Sequence, residues 1–98
     1  MEVQVNVPLV TMSAAVDGMR RPFLQAFGRS PVGQRLGGAA WAAFHSALTH
    51  GCGLHAATSH AVVAAGERND RTALVARWSA VRIRATVQAA ARSAADAG

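Results

Sequence analysis

The large apolar residues of this chain recur at spacings of three and four, in runs separated by clusters of helix breakers. That pattern admits amphipathic helices and little else. The first run is Leu9, Met12, Val16, Met19, Phe23 and Ala26 or Phe27. Pro8 suits a first helical turn, where a missing N–H has no intrahelical acceptor to lose. Pro22 falls inside the run, where its ring would meet the Gly18 carbonyl, so a kink or a restart is expected there. Ahead of the run, Val3, Val5 and Val7 alternate with Gln4 and Asn6. This predicts an extended start over residues 1–8, too short to found a sheet.

The segment FGRSPVGQRLGG concentrates Gly28, Ser30, Pro31, Gly33, Gly37 and Gly38. It predicts that a helix over 9–28 ends in a turn over 29–38, with Gly37 and Gly38 letting two helices approach closely. Beyond it Trp41, Phe44 and Leu48 resume the helical spacing, continued more weakly by Cys52, His55, Val62 and Val63. A second helix is expected over 39–66. Gly51 and Gly53 interrupt it at a cost of about 1 kcal/mol each relative to alanine, which marks a bend or a tight contact. The stretch GERND, residues 66–70, is the next break, with Asn69 or Asp70 available as a cap.

A last helix is expected over 71–94. On its wheel Leu74, Trp78, Val81 and Ala85 make a narrow stripe, with Arg71 and Arg82 on one flank and Arg77 and Arg84 on the other, while the far face is largely alanine. Charges beside a seam suit docking to a partner helix with acidic flanks. The same arginines could equally lay their stems on a local stripe and keep their heads in water.

Composition sets how much core these helices can build. Of the 98 residues 51% are hydrophobic, but 23 are alanine and only 26 are Val, Leu, Ile, Met, Phe or Trp. A core of that kind is thin, and at this length one core rarely supplies more than about 3 to 5 kcal/mol. A homodimer or a homologous helical partner is therefore expected. The 10 basic residues are all arginine, a bias that fits a GC-rich genome and discounts the net charge of +5 as a functional signal. A pI near 11.6 keeps a small basic nucleic-acid-associated protein as the alternative reading, although no helix-turn-helix, zinc finger or RNA-binding aromatic pair is present.

Several chemistries are disfavoured on spacing. His45, His50, His55 and His60 stand five apart, a step that turns each imidazole by about 140° around a helix, whereas helical chelation needs ligands on one face. His50, Cys52 and His55 lie close in sequence, but no carboxylate falls within the uncharged span from Leu36 to Gly66 to complete a metal set. No cofactor is expected. Cys52 beside a histidine matches a nucleophile and base in composition, yet the acids Glu2, Asp17, Glu67, Asp70 and Asp96 all lie outside that span, so no catalytic residues are expected. A single cysteine excludes an intramolecular disulfide and leaves only an intermolecular one open. The uncharged span carries four histidines and few large aliphatics, which argues against a membrane helix. Glu2 and the lack of a basic leading segment argue against a cleavable signal peptide.

The stretch LGGAAWAAF, residues 36–44, resembles the centre of the helical-hairpin proteins of type VII (ESX-type) secretion. In that family a Trp-x-Gly turn joins two helices and an aromatic follows six residues after the glycine, as Phe44 follows Gly38. The nearest branch is the excreted, virulence-factor-like hairpins of actinobacteria, whose second helix ends in an AAxxY-like stretch with an acid four residues beyond; residues 63–70 occupy such a place. Leu36 stands at the tryptophan position and Gly66 at the tyrosine position. The resemblance implies a protein secreted without a cleavable signal that meets the secretion machinery through a partner, or one that stays in the cytoplasm as an accessory.

The combined expectation is an all-α chain: an antiparallel helical hairpin with an additional C-terminal amphipathic helix. Leu9, Met12, Val16, Met19 and Phe23 would face Trp41, Phe44 and Leu48. Leu74, Trp78 and Val81, flanked by Arg77 and Arg84, would be offered to a partner.

Overall fold

The computed structural model describes residues 2–66 and 70–97, with helices α1 (Glu2–Gln25), α2 (Pro31–Thr49), α3 (Leu54–Ala65) and α4 (Asp70–Ala97). The fold is all-α. The alternating valines near the start lie in α1 rather than in an extended segment, which corrects the expectation for residues 2–8. A lone extended stretch has no second strand to take up its backbone hydrogen bonds, whereas a helix supplies its own. No new helix begins at Pro22, because α1 runs through it as one element.

The first turn is shorter than its glycines suggest. Ala26, Phe27 and Gly28 wind up the end of α1 through N–H bonds to Pro22, Leu24 and Gln25 carbonyls at 3.1, 3.2 and 3.1 Å. Gly28 then takes φ +83°, a conformation that side chains resist. Ser30 caps α2: its backbone is extended and its hydroxyl accepts from Gly33 N–H at 3.0 Å, with Pro31 as the first helical residue. Gly33, Gly37 and Gly38 are thus inside α2, which corrects the turn assigned to 29–38 and to Gly37 and Gly38. The glycines serve closeness instead. A Cβ on Gly33 would collide with the Phe27 carbonyl oxygen, and one on Gly37 would stand 3.1 Å from the Phe27 ring. Gly38, by contrast, faces open space.

The second long helix of the expectation is two helices. α2 stops at Thr49, where Cys52 N–H reaches the Ala47 carbonyl at 2.9 Å and Gly51 N–H reaches Leu48 at 3.2 Å, with Gly51 at φ +87°. This paired closure satisfies the last carbonyls of α2 and turns the chain. α3 then folds back along α2, so that His60 comes beside Ala43 and Ser46.

The helix pairing departs from a two-armed hairpin. α2 lies chiefly against α3, α1 against α4, and α3 against α4, while α1 meets α2 more briefly. Two edge-on or tilted aromatic contacts centre the core, Phe23–Trp41 at 5.2 Å and Phe23–Phe44 at 5.7 Å between centroids. Met19, Val16, Phe27 and Ile83 are buried with them, and Ala40, Ala57, Ala61 and Ala76 are wholly enclosed. Met12 and Leu48 pack at the margin, and Leu9 lies outside the described side chains. The radius of gyration is 14.6 Å, against about 13 Å for a compact chain of this length, so the molecule is elongated.

Candidate functional site

α4 is apolar on two sides. Thr72, Val75, Ala76, Ser79, Ala80 and Ile83 are buried against the rest of the molecule. At about 100° per residue, these positions lie on the side of the helix away from Leu74, Trp78 and Val81. Those three are 65%, 44% and 61% exposed and follow one another at steps of four and three, forming a ridge along the outside. Ala76, Ser79 and Ala80 let α4 lie close to its neighbours around Val75 and Ile83, and Leu74, Trp78 and Val81 are left in solvent.

The ridge borders a groove of about 690 Å³ between α3 and α4. Val62 and Val63 line it from α3, and Ala73, Ala80 and Val81 from α4. Val63 is 75% exposed, which extends the apolar surface beyond α4. His55, Arg77 and Arg84 supply the polar rim. On the other flank the Arg82 guanidinium sits 5.4 Å from the Trp78 ring centroid, a cation–π contact that holds the indole against the helix. Among the described residues none of Arg71, Arg77, Arg82 and Arg84 makes an ion pair.

Leu74, Trp78, Val81, Arg77 and Arg84 thus share one side of α4, the place assigned to them for partner binding. Val62 and Val63 were missed as members of this surface. Their spacing reads as the weak end of a helix seam, and the signal that separates them is their position after the Gly51–Gly53 break, which starts a helix with its own orientation. The inward face of α4, expected to be largely alanine, also carries Thr72, Val75, Ser79 and Ile83 at helical spacing.

The histidines do not converge. His45, His50, His55 and His60 are all exposed, and among the described residues no group of three or more His, Cys, Asp or Glu could hold a metal ion. His50 and His60 share a shallow depression with half-buried Cys52. His50 uses its Nδ1–H on the Ser46 carbonyl at 2.7 Å, and the His45 ring lies 5.8 Å from that of Trp41. Among the described residues the buried polar side chains are Thr72 and Ser79, neither of which titrates near neutral pH. No described helix is long and apolar enough to cross a membrane. No family model matches this chain, and no curated protein or solved structure matches it.

Proposed function

We propose that this chain is a noncatalytic, secretion-associated helical protein that works by packing α4 against a helix of a partner or of a second copy. The observation that carries the reading is the outer ridge of Leu74, Trp78 and Val81, an apolar seam that is exposed among the described residues, opposite the seam that α4 already buries. A helix that is apolar on two sides buries only one of them among the described residues. The secretion-associated part rests on the resemblance of LGGAAWAAF and of the alanine-rich helices to type VII substrates. That stretch lies wholly within α2, where it contributes Trp41 and Phe44 to the core instead of a turn.

Size-exclusion chromatography with light scattering tests the packing reading, on the purified chain alone and coexpressed with the product of the adjacent gene. A dimer or a stoichiometric complex is expected, and a monomer in both samples overturns it. For export, an epitope-tagged chain should reach the culture medium of its host while a cytoplasmic marker does not. The unpaired arginines of α4 also suit phosphate binding, and there the salt response decides. Retention of a generic duplex that weakens steeply between low and physiological salt would favour nucleic acid; absence of retention at low salt removes that reading.

A further inference from the structure

The outer face of α4 carries a charge pattern that selects its occupant, and the inference that follows rests on the packing function proposed above. We infer that the ridge and its groove receive an acidic amphipathic helix from a different protein, not a second copy of this chain. Between Asp70 and Asp96, α4 bears Arg71, Arg77, Arg82, Arg84 and Arg92 and no carboxylate. Arg71 and Arg82 lie roughly 60 to 80° to one side of the ridge, and Arg77 and Arg84 as far to the other. Both flanks are therefore positive, with no ion pair to neutralise them among the described residues.

Two copies joined through this ridge would set arginines against arginines whether the helices ran parallel or antiparallel. Like charges facing across a seam that excludes water oppose association and select against that pairing. A helix with apolar residues at steps of three and four, and Glu or Asp beside them, meets both requirements. Its apolar side chains cover Leu74, Trp78 and Val81 and enter the groove beside Val62 and Val63. Its acids reach Arg77 and Arg84 on the groove side and Arg71 and Arg82 on the other. A nucleic acid backbone would neutralise the same arginines but leave the ridge in water. The surface as a whole therefore favours a protein helix.

The test uses a fluorescein-labelled synthetic helix of 28 residues, matched to the 28 of α4, with Leu at the a and d positions of each heptad and Glu at e and g. Its glutamates keep it from pairing with itself. The comparison peptide carries Lys at e and g. Fluorescence anisotropy with the full chain is expected to show the Glu peptide binding at least about tenfold more tightly than the Lys peptide. Trp78→Asp should weaken Glu-peptide binding at least about tenfold, with circular dichroism of the variant unchanged because the residue is exposed. Arg77→Glu combined with Arg84→Glu should abolish the preference for the Glu peptide, because Arg71 and Arg82 keep only the other flank positive. Equal affinity for both peptides overturns the inference. So does a dimer of the chain alone that Trp78→Asp dissolves, but that outcome leaves the packing function standing. A chain that binds neither peptide and stays monomeric both alone and with the product of the adjacent gene overturns both. A mixed-sequence DNA duplex that binds the wild type and Trp78→Asp alike, with neither peptide bound, assigns the arginines to phosphate instead.

Discussion

At the junction of α1 and α2, Phe23, Phe27, Trp41 and Phe44 are all buried, and Gly33 and Gly37 lack the side chains that would keep Phe27 out. Along α3 and α4 small residues take most of the inside: Ala57, Ala61, Ala76, Ser79 and Ala80 are buried beside Val75 and Ile83, while Val63, Leu74, Trp78 and Val81 are outside. The first region gains stability from large apolar surface removed from water, roughly 25 cal/mol per Å². The second gains less from each residue and depends on backbones lying close together. The comparison explains how one chain can be stable enough to fold and still leave large apolar residues in solvent. One end anchors the fold, and the other spends little of its hydrophobic surface internally.

Substitutions can break or sharpen this contrast. The largest effect should come from the anchored end. Phe44→Ala removes a fully buried ring that touches Phe23 and Trp41, and a loss of about 3 to 5 kcal/mol in urea unfolding is expected. A loss below about 1 kcal/mol would mean that this cluster is not the anchor.

The glycines give a paired experiment. Gly33→Ala should destabilise by about 1 to 3 kcal/mol, because the new methyl meets the Phe27 carbonyl, a backbone atom that cannot swing away. Gly38→Ala, in the same helix but open to solvent, should stabilise by up to about 1 kcal/mol through helix propensity. Thermal melts of the two variants that shift in the same direction would contradict the close approach of Phe27 to α2.

Within α4, the Ser79 hydroxyl is buried with no hydrogen-bond partner among the described residues. Ser79→Ala keeps the small inward face, removes an unsatisfied group, and is expected to raise stability by about 1 kcal/mol. A marked loss would show that the hydroxyl has an unrecognised acceptor. The smallest change in stability belongs to the ridge. Trp78→Gln should alter unfolding by no more than about 0.5 kcal/mol, since the residue lies on the exposed face with Arg82 against its ring. A larger loss would place Trp78 among the anchoring residues and remove the distinction between the two regions.

The seam from Val16 to Phe27 and that from Trp41 to Phe44 were legible in the sequence because large residues at helical spacing can be hidden only on one face. The stripe of Leu74, Trp78 and Val81 was legible for the same reason, as was its arginine border. The boundaries were less so. Gly37 and Gly38 read as a turn because glycine disfavours helix, but glycine also permits close contact, and nothing local distinguishes the two. Phe27, placed by the turn before α2, decides it for Gly37. Likewise Gly51 ends α2 outright because the Ala47 and Leu48 carbonyls are met by N–H groups beyond it, a closure that periodicity does not contain.

By itself, then, the sequence determined that this protein is helical, where its large apolar residues would gather, and that its one basic helix carries a stripe bordered by arginine. Those properties follow from residue size, period and charge, which are local. Only the tertiary structure decided which side of α4 is buried. The face that sets Thr72, Ala76, Ser79 and Ala80 beside Val75 and Ile83 lets α4 lie close to α1 and α3, and that packing leaves the stripe of Leu74, Trp78 and Val81 toward solvent.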